Sequence, residues 1–141
     1  MGDLYDDDIL LWSERQGELL RRIAAGEPVN EQPDWANIVE EVESVGREQL
    51  HAVASLLFQA LVHMLKAEGW PLVRDAENWR ADARGFRAQA RRRFAPSMRQ
   101  NIDLADIYAD AVRALPTAMD GQPPQPVSSA CPMTLDELLG T

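Results

Sequence analysis

Apolar residues recur with helical rather than strand periodicity along almost the whole chain. Between Tyr5 and Ala25 the bulky or apolar positions are Tyr5, Ile9, Trp12, Leu19 and Ile23, with Leu20 widening the stripe, the three-to-four-residue spacing of one helical face. Asp6, Asp7 and Asp8 open the segment, where carboxylates favour the positive end of a helix dipole, and Gly26 with Pro28 closes it. After the turn-rich GEPVNEQP at 26–33, Asp34 is placed to cap a second helix that runs to about Glu68. Val39, Val42, Leu50, Val53, Leu57, Ala60, Leu61 and Met64 make its broad core stripe, and Glu43 and Arg47 lie along one edge. Gly46 inside this helix costs roughly 1 kcal/mol relative to Ala, which points to a close helix crossing or a kink.

The pattern continues in the second half. Asp75 is a cap for a third helix ending near Phe94, with Ala76, Trp79, Ala83, Phe86 and Ala90 as a narrow, small-residue core stripe. Ser97, three residues before Gln100, starts a fourth helix that ends at Pro116 and turns Met98, Ile102, Ala105, Ala109 and Val112 inward. Residues 120–132, DGQPPQPVSSACP, form an extended connector, and Thr134 with Glu137 caps the short helix TLDELL, which must dock because it is too short to stand alone. These elements predict an all-α fold: an up-and-down bundle of four main helices over residues 1–118, and a Pro-rich extension, 119–141, with a short docked helix.

Composition agrees. A chain of 141 residues with 45% hydrophobic positions, few of them β-branched, can bury a core of helices without disulfides or metals. The single Cys131 has no internal disulfide partner and no spaced Cys or His for a zinc site, as for a reduced cytosolic thiol. The acidic start MGDLYDDD is unlike a signal peptide, Gly2 lacks the downstream Ser or Thr of an acylation motif, and the apolar run Val53 to Leu65 is broken by Ser55, Gln59 and His63. A cytoplasmic protein without membrane association or cofactor is expected.

Charge changes the picture more. The net charge of -9 argues against wholesale coating of nucleic acid, yet residues 66–99 carry 9 basic and 4 acidic side chains, whereas residues 1–65 carry 4 and 13. Arg80, Arg84, Arg87 and Arg91 recur at i, i+4, i+7 and i+11 as a ridge on the third helix, followed by Asp103, Asp106 and Asp110 on the fourth. The acidic row offers the ridge an internal neighbour; phosphates, with Trp79 or Phe94 for stacking, are the other candidate. Trp70 beside Pro71 is expected in an exposed loop.

YDDDILLW, DWANIVEEVESVGR, LVHMLK, NWR, APSMR and CPMTLDELL together resemble a bacterial family known as domain of unknown function 29. The resemblance covers nearly the whole chain and implies a helical fold with motif positions Glu41, Glu43, Gly46, Arg47, His63, Lys66 and Trp79, but no established activity. Here Leu10 and Leu11 replace the family's aromatic partner before Trp12.

Catalytic and metal readings are thin. A di-iron or di-manganese bundle needs two Glu-x-x-His pairs, and only Glu48 with His51 supplies one. Glu43 with His63 is the acid–base pair an enzyme would use, with Arg47 beside it, against the structural alternative of a Glu43–Arg47 pair at i,i+4. A non-catalytic interaction or assembly module with a protein partner or a second copy ranks first, a nucleic-acid-associated protein second and an enzyme around Glu43, Arg47 and His63 third.

Overall fold

The computed structural model describes residues 3–141, so Gly2 and its acylation motif lie outside the described residues. The described residues are helical with no β-strand, apart from one isolated antiparallel bridge between Met119 and Gln122. The chain divides into two compact units, Met1–Arg47 and Glu48–Thr141. The division thus falls inside a long helix rather than at residue 118, and the Pro-rich extension belongs to the second unit because Leu138 and Leu139 are part of that unit's core.

The first unit holds α1 (Leu4–Asp7), α2 (Ile9–Ala24) and the beginning of α3 (Trp35–Gly69). One helix was expected from Tyr5, and two form. Asp8 leaves the helical region (φ -151°, ψ 84°), and its carboxylate accepts the Leu11 N–H at 3.0 Å, so it caps α2 and ends α1. Asp3 accepts the Tyr5 N–H in the same way. Short acidic side chains compete with the helix for backbone donors, so a run of aspartates breaks a helix as readily as it starts one. Among the described residues of this unit, only Trp12, Leu19 and Pro33 are buried.

The second unit takes the rest of α3, then α4 (Ala76–Arg93), a 3-10 segment (Pro96–Asn101), α5 (Leu104–Arg113) and α6 (Leu135–Leu139). Its core joins Val53, Leu57, Leu61, Val62 and Leu65 of α3 to Ala90, Tyr108, Ala111, Leu138 and Leu139. The buried residues of α4 are Ala76, Ala83 and Ala90, as its small-residue stripe predicts. The expected fourth helix is interrupted. Ser97 lies inside a 3-10 segment that Pro96 begins, Ile102 and Asp103 are extended, and the Asp103 carboxylate accepts the Asp106 N–H at 3.1 Å, making it the true cap of α5.

The connector straps onto the end of α3. Trp70 is buried rather than exposed, since its Nε1–H donates to the Gln122 carbonyl at 2.9 Å. The Gln125 N–H donates to the Gly69 carbonyl at 2.8 Å, and a Cβ at Gly69 would come within 3.1 Å of Pro124 Cβ, so that position is sterically reserved for glycine. Gly46, by contrast, has nothing within 4 Å where a Cβ would stand, and α3 runs through it uninterrupted, so the expected close crossing is not formed. The α6 helix has a reciprocal Thr134–Glu137 capping box and closes at Gly140 with φ 78°. By length and composition α3 passes the test for a membrane-crossing helix, contrary to the reading of its broken apolar run; Val53, Leu57, Leu61 and Leu65 within it are buried as in the core helix of a folded unit.

Candidate functional site

In the first unit, part of the polar motif holds the helices together. The Tyr5 hydroxyl donates to Glu41 Oε1 at 2.5 Å, and Ser44 Oγ donates to the Glu41 carbonyl at 2.9 Å. The bond to Glu41 pushes the Tyr5 phenol up to about 12, helped by burial and by the charges of Glu41, Glu40 and Asp6. Asp34 accepts Asn37 Nδ2–H at 2.7 Å and Trp12 Nε1–H at 2.9 Å, and these two donors hold its carboxyl below the ordinary carboxylate value. The Asp34 N–H in turn donates to Gln16 Oε1 at 2.8 Å. Glu41 and Asp34 are therefore positioned by, and position, two of the unit's aromatic residues, Tyr5 and Trp12, whose rings meet edge to face at 4.8 Å.

The expected Glu43–Arg47 pair is replaced. Arg47 Nη2 lies 2.6 Å from Glu40 Oε1, one further turn back along the helix, and Glu43 is exposed. Around these charges runs a face the sequence assigned to the core. Val39 and Val42 are 52% and 68% exposed, and Trp35 and Val45 continue the same stripe at 51% and 61%. Trp35, Val39, Val42 and Val45 follow the i, i+4, i+7, i+10 rhythm of one helical face. The unit that carries them has 12 acidic and 4 basic side chains. Trp35 was missed by the sequence reading, although its place immediately after the cap and in phase with Val39 was visible.

In the second unit, His63, Lys66 and Trp79 do come together. The His63 Nδ1–H donates to the Gln59 carbonyl at 2.8 Å, while Nε2 stands 3.9 Å from Asp82 Oδ2 and the ring lies 5.2 Å from Phe86. Lys66 Nζ sits 5.8 Å from the centre of the Trp79 ring. This is a packed seam between α3 and α4. Glu43 and Arg47 belong to the first unit and His63 to the second, so neither unit assembles the acid–base cluster by itself. Cys131 is half-buried with its Sγ 3.3 Å from the Met133 carbonyl. Among the described residues, no group of three or more His, Cys, Asp or Glu side chains is placed to hold a metal ion.

The arginine ridge meets a different neighbour from the one expected. Asp110 pairs with Arg113 in its own helix, and Asp103 caps α5, so two of the three carboxylates in the acidic row of the fourth helix are occupied locally. Arg80 pairs with Glu77 at 2.7 Å. Arg87 reaches α6 instead: its Nε–H and Nη2–H donate to the Leu138 and Glu137 carbonyls at 2.8 and 2.9 Å, satisfying two of the groups a helix C-terminus leaves open. Arg99 pairs with Asp136 at 2.6 Å. Arg84, Arg87, Arg91 and the last turn of α6 line a cleft of about 220 Å³.

The family model described as domain of unknown function DUF29 matches residues 4–141. Among solved structures, an alpha-helical protein of unknown function from Rhodospirillum rubrum is similar over 99% of this chain and 90% of its own, with 24% identity and a TM-score of 0.63, a likeness of fold. No curated protein matches the sequence.

Proposed function

The chain belongs to the family described as domain of unknown function DUF29, and on that premise we propose that it is a non-catalytic interaction module whose first unit docks a basic amphipathic helix of a partner protein. The observation that carries this reading is the exposed stripe of Trp35, Val39, Val42 and Val45 set in a strongly acidic unit. Water-exposed apolar side chains in register along one helix are stabilised by a partner that covers them, in the manner of a helix laid against a helix face. The surrounding carboxylates select the partner's sign: a second copy of the same acidic unit would bring like charges together, whereas lysines and arginines flanking an apolar stripe would be attracted and oriented. Nucleic acid is the weaker reading, because Arg80 is already paired with Glu77 and so interrupts the ridge as a track for successive phosphates.

The test is calorimetric titration of the full chain with a Leu/Lys peptide of helical periodicity and with a scrambled peptide of the same composition. Tighter binding of the periodic peptide, lost in a Val39→Asp, Val42→Asp variant whose circular dichroism is unchanged, is the expected result. Equal affinity for both peptides would reduce the effect to bulk charge and sink the reading. Dimerisation that the same variant abolishes would assign the stripe to a second copy instead.

A further inference from the structure

We propose that Arg84, Arg87 and Arg91 form a binding site for a doubly charged tetrahedral oxyanion, a phosphate group, in the cleft they line with α6. The three residues recur at i, i+3 and i+7, so their side chains leave α4 on one face. Arg87 is fixed in place by the Leu138 and Glu137 carbonyls, which orient its guanidinium while supplying no formal negative charge. Arg91 Nη1 lies within 3.5 Å of where a Cβ on Gly140 would stand, at the closing turn of α6. Among the described residues, no carboxylate oxygen comes within 4.0 Å of Arg84, Arg87 or Arg91.

The carboxylates that could have neutralised the cleft are committed elsewhere. Asp136 is paired with Arg99, and Glu137 directs its carboxylate to the Thr134 N–H that it caps. Three guanidinium groups, one of them held rigidly, thus line a concavity of about 220 Å³ that contains no compensating acid. A carboxylate ligand would satisfy one arginine fork. A phosphate group with three terminal oxygens and close to two negative charges matches three, and arginine's planar donors suit it better than a lysine would. The same chemistry is offered by free phosphate and by a phosphorylated side chain.

Isothermal titration of the full chain with inorganic phosphate and with a short phosphoserine peptide, at fixed ionic strength in chloride, tests the site. Saturable binding of one phosphate per chain is expected, with Arg84→Gln and Arg91→Gln each weakening it about tenfold or more, as for loss of a charge-assisted hydrogen bond. Arg93→Gln removes the same charge from the opposite face of the helix and is expected to leave affinity unchanged. If the phosphoserine peptide binds more tightly than inorganic phosphate, the site reads a modified side chain; if not, it reads a small anion. Absence of saturable phosphate binding, or an equal loss in Arg93→Gln, would overturn the proposal.

Discussion

The two units solve the problem of holding helices together by different means. The second joins ten buried residues from four helices into one apolar cluster, and its polar contacts mostly fasten helix ends and connectors to that core. Among its described residues the first buries only two large apolar side chains, Trp12 and Leu19, and keeps its helices in place with hydrogen bonds from Tyr5 to Glu41, from Trp12 and Asn37 to Asp34, and from the Asp34 N–H to Gln16. Hydrogen bonds exchange one partner for another and yield little net free energy, whereas apolar burial is the main favourable term in folding. A unit built chiefly on the former has less reserve, and it leaves its own apolar stripe uncovered.

The sharpest way to break this contrast is to remove a large, well-buried apolar side chain from each unit. Trp12→Ala is expected to cost about 3–5 kcal/mol, more than a unit with so small a core can spare, so amide hydrogen exchange in residues 3–47 should become unprotected while the second unit stays protected. Leu57→Ala, at about 2–5 kcal/mol, should weaken the second unit without erasing it. Equal loss of protection across both units in either variant would show that the chain unfolds as one.

Acid provides a milder probe. Asp34 has a folded-state carboxyl lowered by its two donors, so the stability it contributes is complete above the ordinary value of 3.8 and drains away as pH falls through the lower folded value. Tryptophan fluorescence should therefore report loosening around Trp12 below about pH 4, reduced in an Asp34→Asn variant. The smallest effect belongs to Glu43→Gln. An exposed carboxylate without an ion-pair partner should change stability by no more than about 0.5 kcal/mol, measured by denaturant titration, whereas a loss several times larger would reveal a hidden structural role.

The helical class, the small-residue face of α4, the capping box of α6 and the ends of α3 were all legible, because each depends on local spacing or on a side chain and its own backbone. What failed to show was decided by competition or by tertiary context. Asp8 and Asp103 each read as a member of an acidic row, and each instead takes a backbone N–H and starts a new helix. Val39 and Val42 lie on the same helical face as Val53 and Leu57, so periodicity gives all four one label, yet the first pair is exposed and the second buried. Only the density of glutamates around the first pair distinguished them. The ridge of arginines was plain, but that Arg87 would find carbonyls 50 and 51 residues away was not, since no local pattern encodes so distant an acceptor.

The place of Leu138 and Leu139 in the second unit's core sets a timetable for the ribosome. Residues 3–47 can leave the exit tunnel and find every hydrogen-bonding partner described for them long before α6 is translated, whereas Val53, Leu57 and Leu61 must wait for that turn of helix before their cluster closes. Throughout that interval a nascent chain shows the apolar face of half its longest helix to water.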